Sequence, residues 1–263
     1  MDRRPLSIAI MQTGETLPEL LLRSGGFFGM FTAALTAQGA EVETVSVDVT
    51  AKSEHDPAID IERFDGVIFT GSPSMVAEDT SWMRWGVRTM QQAVQLQVPL
   101  LGVCFGHQLL GVAMGADVGP NPRGREIGSV EVVRHDTRPD PLFDEQPLRF
   151  IAQVSHVDVI RAPGPRLEVL ARTRHDDAHI VRAGPWAWGV QFHPEFDVDT
   201  VRAYLNARRV FVDQTHGAGA TEARLESLAP SPDAAALLPR FIEVCHQRRE
   251  QRQHTRGGLT YVS

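Results

Sequence analysis

Cysteine is scarce in this chain of 263 residues, which has only Cys104 and Cys245. Two cysteines cannot build the disulfide framework of a small secreted domain. One bridge between them is arithmetically possible, but no export signal is evident, and two free thiols are the expectation. Long apolar runs are missing as well. No window approaches the roughly eighteen apolar residues of a membrane-spanning helix. The opening "MDRRPLSIAIMQTGE" holds an apolar stretch that stops at Gln12. It is too short for a signal h-region, and no A-x-A cleavage pattern follows. The expected location is therefore the cytoplasm, with no membrane partner. Basic charge is not in excess: 26 Lys and Arg stand against 33 Asp and Glu, a formal charge of −7. Nucleic acid is excluded as the main partner on that ground. No P-loop, internal repeat or cluster of metal ligands is visible. The ten histidines are scattered, and His175 and His179, though four apart, fall in what reads as a turn into a strand. Neither a metal nor a cofactor is expected.

What is present is an ordinary globular composition, 42% hydrophobic and 22% charged, arranged as alternating strands and helices. "LSIAIM" is a short apolar run without polar alternation, as in a strand buried on both faces. "FFGMFTAALTAQG" reads as a helix closed by Gly39. "EVETVSVDV", "FDGVIFTG" and "VPLLGV" read as strands, "SWMRWGVRTMQQAVQLQ" and "GHQLLGVAMG" as helices. The alternation predicts an α/β fold, a mostly parallel central sheet with helices on both faces. From "GREIGSVEVVRH" to "WAWGVQF" strands follow one another without clear helices, which predicts a small antiparallel annex. "DTVRAYLNARRVFVDQ" reads as a helix capped by Asp199. Residues 1–213 are expected to form one domain. Residues 214–263 are expected to hold a linker rich in Ala, Gly, Ser and Pro, a docked helix with an apolar stripe including Leu238, Phe241 and Cys245, and a frayed tail.

Three stretches carry chemistry. In "PLLGVCFGHQLL" Cys104 has Gly102 two residues before it and Gly106 two residues after. A nucleophile on a sharp strand-to-helix turn needs this spacing, because neighbouring side chains would collide. The following helix points its positive end at the sulfur and favours the thiolate. The alternative is a buried structural cysteine whose glycines merely turn the chain. A thiolate nucleophile needs a base, and the base an orienter. "WGVQFHPEF" offers His193 and Glu195, which share a side in extended backbone, and Pro194 favours that form in His193. Alone, the tripeptide is more often a solvated loop. Acyl chemistry also needs an oxyanion hole. "VIFTGSPSMV" places backbone N–H groups near Gly71 and Ser72, with that of Phe105 as a second donor. By itself this is also what an ordinary turn looks like.

Taken together, "TGSPSMV", "GVCFGHQLL", "SHVDVI" and "WGVQFHPEF" resemble, in kind and order, the motifs of the class I (triad type) glutamine amidotransferases. The resemblance covers about residues 7–210 and is strongest to the stand-alone relatives of the amidotransferase domain of GMP synthetase, among them γ-glutamyl peptidases. It implies a flavodoxin-like fold and a Cys104–His193–Glu195 triad that cleaves the γ-amide of glutamine through a γ-glutamyl thioester. It further implies that Gln108, Ser155, His156 and Asp158 hold the amino-acid end of the substrate, with Asp158 toward the α-ammonium. "SHVD" without the resemblance reads as strand-end polarity. The synthetase's phosphate loop S-G-G-V-D-S has no counterpart, since "RSGGFFGM" continues differently. Three functions stay open: ammonia supply to a synthetase subunit in trans, stand-alone hydrolysis of a γ-glutamyl compound, and a non-catalytic binding module of the same fold.

Overall fold

A computed structural model of the protein describes residues 4–37, 39–135 and 139–258. Its centre is five parallel strands in the order β2 (Val42–Asp48), β1 (Leu6–Gln12), β3 (Gly66–Phe69), β4 (Leu100–Val103) and β11 (Ala187–Val190). The same sheet continues antiparallel through β10 (Ile180–Arg182), β9 (Glu168–Arg172), β6 (Glu126–Arg134) and β7 (Arg149–His156). Two short strands, β5 (Asp117–Pro120) and β8 (Asp158–Ala162), pair in a separate antiparallel sheet. The stretch read as one strand, "LRFIAQVSHVDVI", therefore breaks at Val157 and serves two sheets.

Strand periodicity sorts the core onto two faces. Ile8, Ile10, Ile68, Leu101 and Val103 face one apolar cluster with Phe27, Phe31, Phe241 and Cys245. Their neighbours Ala9, Met11, Val67, Phe69 and Leu100 face the other, with Trp85, Met90 and Phe105. The first face is covered by α2 (Gly26–Thr36) and α9 (Leu237–Gly258), reached through the short α1 (Pro18–Ser24) and α8 (Pro232–Ala235). The second is covered by α3 (Ser81–Gln95) and α4 (Phe105–Ala113). Gly39, at φ 73°, follows α2 and donates its N–H to Thr36. At Gly66 a side chain is excluded: a Cβ there would lie 2.5 Å from the Cys245 sulfur, so α9 presses directly on β3.

The C-terminal third is more helical than its composition suggests. The expected helix after β11 is two, α5 (Val198–Ala207) and α6 (Arg209–His216), broken at Arg208. The boundary expected after residue 213 thus falls inside α6. The stretch expected as a linker contains α7 (Ala220–Glu226), whose Thr221 is buried and hydrogen-bonds Asp213. Helix α9 runs into the tail expected to fray, and residues 259–263 lie outside those described.

The cap of α5 is Asp197, not Asp199. The Asp197 carboxylate accepts from the Thr200 N–H at 2.7 Å, while Asp199 sits in the first turn. The sequence offers two acids two positions apart, and only the one before the first helical residue can reach that N–H. Asp197→Ala should cost about 1 kcal/mol, and Asp199→Ala less than about 0.5 kcal/mol. Thermal unfolding of the two variants followed by circular dichroism checks the order.

Candidate active site

The turn between β4 and α4 is held by close backbone contact. Cys104 adopts φ 52° and ψ −103°, a conformation side chains rarely occupy. Its N–H donates to Val190 at 2.8 Å, and the Gly106 N–H donates to Thr70 at 3.1 Å. A Cβ on Gly102 would lie 2.4 Å from the Gly106 carbonyl oxygen, and one on Gly106 would lie 2.4 Å from that of Phe69. Both glycines are therefore steric requirements of the turn. Cys104 stands at the N-cap of α4, where the first helical N–H groups lack intrahelical partners.

Beside it stands His193. Its Nδ1 donates to Glu195 Oε1 at 2.7 Å, and Phe196 stacks on the ring with centroids 3.9 Å apart. Beyond β11 the chain bends, and Phe196 donates its N–H to the His193 carbonyl. The histidine and glutamate consequently meet across a tight turn, whereas extended backbone was the expected route. Gly71 makes room for the ring: a Cβ there would lie 2.9 Å from His193 Cε1. Burial disfavours a charged ring, but the charges of Glu195 and Cys104 outweigh it and bring the His193 pKa to about 10.

Two cavities meet at Cys104. One, of about 170 Å³, is bounded by Thr16, Leu17, Phe27, Ser72, Ser155, His193, Tyr204 and Arg208. The other, of about 80 Å³, is bounded by Ser72, Gln108, Arg125, Ser155, His156, Asp158 and Arg208. The carbonyl of Gly71 accepts from the hydroxyls of Thr13 and Thr70, which fixes the peptide unit carrying the Ser72 N–H. In a trans peptide that N–H points opposite to the carbonyl. Phe105 is buried, with its N–H at the first turn of α4.

The four residues expected at the amino-acid end of a substrate divide into two kinds. Ser155 Oγ and both Asp158 carboxylate oxygens are buried without a hydrogen-bond partner in the protein. Burial raises the Asp158 pKa above its usual value, opposed by Val76, Arg161 and His156. Gln108 and His156 are instead turned to protein partners. Gln108 Nε2 donates to the Asp158 carbonyl at 2.8 Å and His156 Nδ1 to the same atom at 3.1 Å. The two side chains brace the strand that carries Asp158.

Sequence reasoning missed Arg208 and Tyr204, which come from the end of α5, and Thr16, whose hydroxyl lies 2.7 Å from the Tyr204 oxygen. It also missed Glu126, paired with His156 across the β6–β7 register. Only that register, set by residues 30 positions apart, could have revealed the pair. The metal-ligand reading fares differently too, since Glu126, His156 and His179 converge within 4.8 Å.

The raised pKa of His193 has a definite sign. A base whose folded pKa exceeds its unfolded value of about 6.5 stabilises the fold fully below that value. The contribution is lost as pH rises toward about 10. NMR titration of the His193 ring should show protonation persisting well above pH 7, and Glu195→Gln should move the midpoint down. Gly106→Ala should abolish a properly folded elbow, seen as a large drop in melting temperature.

The sequence model described as glutamine amidotransferase class-I matches residues 24–211. The chain is 33% identical over 172 residues to a glutamine-hydrolyzing GMP synthase of Aeropyrum pernix, covering 64% of this chain and 31% of that protein. It thus spans about a third of that relative's length. It is 26% identical over 176 residues to gamma-glutamyl peptidase 5 of Arabidopsis thaliana, covering 66% and 69% of the two chains. Among solved structures, a glutamine amidotransferase of Thermotoga maritima superposes with a TM-score of 0.67 at 18% identity, over 92% of this chain and 99% of that one. The elbow and all four motifs lie inside the matched span, and the chain belongs to the class-I glutamine amidotransferase family.

Proposed function

We propose that the protein hydrolyses the γ-amide of glutamine or of a related γ-glutamyl compound through a thioester on Cys104. The observation that carries this reading is the strained Cys104 beside a histidine whose other nitrogen is held by Glu195. His193 already holds the proton at neutral pH, and the sulfur attacks the γ-carbonyl carbon as the thiolate. N–H groups of Phe105 and of the Gly71–Ser72 segment stabilise the oxyanion. His193 then protonates the departing nitrogen, which leaves a γ-glutamyl thioester. Water, deprotonated by His193, releases glutamate and restores the thiolate beside the protonated ring. Asp158, with two open oxygens, suits the α-ammonium of the glutamyl group, with Ser155 beside it. The presence of all three catalytic side chains in contact weighs against a non-catalytic module.

A specific observation favours a leaving group larger than ammonia. If the glutamyl end occupies the cavity at Asp158, the adjoining 170 Å³ cavity, which shares Ser72, Cys104 and Ser155 with it, is left for the leaving portion. The room lies between the loop before α1 and the end of α5. A γ-glutamyl peptide or amide fits that space, in keeping with the likeness to a gamma-glutamyl peptidase. The competing use of the same site is ammonia supply to a synthetase subunit in trans.

Cys104→Ala should lower glutamate release by several orders of magnitude without unfolding the protein. An electrophilic glutamine analogue should label Cys104 and spare Cys245, whose burial pushes its pKa well up; mass mapping reads the adduct. His193→Ala should be nearly as harmful as loss of the thiol, and Glu195→Ala less so. A comparison of kcat/KM for glutamine and for γ-glutamyl peptides should favour a peptide. Low values for all, rising when a synthetase subunit is added, would identify an ammonia donor.

A further inference from the structure

Behind the Ser155–Asp158 wall lies a buried polar cluster to which the hydrolysis assigns no part. Glu126 comes from β6, His156 from the end of β7, and His179 from the residue before β10. All three are at most 5% exposed. The hydrogen bonds around them fix where the protons are. His156 Nδ1 faces the Asp158 carbonyl at 3.1 Å, and a carbonyl only accepts, so this nitrogen carries a proton. His179 Nδ1 faces Asp176 Oδ2 at 3.1 Å and carries one as well. Both histidines therefore have Nδ1 fixed by a carbonyl or carboxylate. This is the outer-shell arrangement that turns Nε2 into a ligand.

The two Nε2 atoms then pose a problem of charge. His156 Nε2 lies 3.0 Å from Glu126 Oε2. As a neutral ring it would oppose lone pair to lone pair there. His179 Nε2 is buried with no partner at all. The other Glu126 oxygen is held by the Thr173 hydroxyl at 2.8 Å, as a carboxylate ligand is commonly held. Protonating His156 relieves one contact, yet Glu126 and Asp176 then bring two buried negative charges against one positive, and His179 Nε2 stays orphaned. A divalent cation relieves both faults. It balances the two carboxylates, with both imidazoles neutral, and it gives His179 Nε2 a partner.

We propose that Glu126, His156 and His179 bind a divalent transition-metal ion of the zinc class. The donor atoms lie within 4.8 Å of one another, and at ligand distances of about 2.1 Å they would close to about 3.4 Å. Glu126 and His156 are already near that spacing, so the adjustment belongs to His179. Two imidazoles and one carboxylate suit zinc, with water in the fourth position. Binding replaces any proton on His156 Nε2, which leaves to solvent. The ion ties β6, β7 and the start of β10 together behind Ser155 and Asp158, and acts as a pin for that wall.

The test uses the untagged full chain, stripped with a chelator, desalted, and titrated with zinc or cobalt(II) chloride. The wild type should retain about one equivalent after desalting, measured by mass spectrometry of the metal. Its melting temperature should rise on addition, and cobalt should give visible d–d absorption. His179→Gln should lose all three responses, and Glu126→Gln supplies the same comparison if the first variant does not fold. No retained metal and an unmoved melting temperature in the wild type would overturn the proposal. So would equal retention by wild type and variant, which would mark adventitious surface binding. None of these readouts depends on hydrolysis, so the site and the activity stand or fall separately.

Discussion

The contact on which the site depends is the approach of one backbone to another at the end of β4. Gly102 and Gly106 lie against carbonyl groups that leave no space for a methyl, and Cys104 between them is held at positive φ. Such a conformation costs of order 1–3 kcal/mol and persists only where surroundings over-determine it. Here the surroundings are the N–H of Cys104 on β11 and that of Gly106 on the end of β3. The parallel strands on both sides of β4 therefore do more than bury apolar surface. They supply the carbonyls that force the sulfur out of the sheet.

Much of this was legible in the sequence, and for a local reason. Gly102, Cys104 and Gly106 lie within five positions, and a sharp turn depends on such near neighbours. His193 and Glu195 were legible as a pair for the same reason, although the turn that joins them was not. Legibility failed where partners are distant. Glu126 meets His156 only through an antiparallel register, and Arg208 reaches the cavities only because α5 ends where it does. The Asp197 cap was missed by two residues because two nearby acids look alike in a sequence. Helix α7 was missed because Ala, Gly and Ser suggest a linker when the buried Thr221 and its Asp213 partner are not yet in view.

The two halves of the sheet divide the labour. The parallel strands present the elbow. The antiparallel strands bring polar side chains together deep in the interior, where Asp176, Glu126, His156 and His179 lie almost without solvent. Burial raises the pKa of the Asp176 carboxyl, yet the hydrogen bond from His179 prevails and holds it at about 2. His107, carried by the elbow helix under the sheet, is pushed down to about 4 by burial and is neutral. Gly189 yields the space it needs, since a Cβ there would lie 2.7 Å from its Nδ1.

The aromatic stack around His193 has a kinetic corollary. Phe27 and Phe196 lie nearly parallel to the imidazole, at 8° and 6°, and Tyr204 backs Phe196. With Glu195 on one edge and Phe196 stacked on one face, the ring is held in one orientation. A fixed ring can exchange a proton with two different atoms only if both come to the same point in space. On the proposed chemistry, sulfur and departing nitrogen must therefore pass through a single locus in turn. Turnover is then governed by the trajectory of the scissile group past a stationary acid, and substrates that cannot pivot about the carbonyl carbon are bound without being cut.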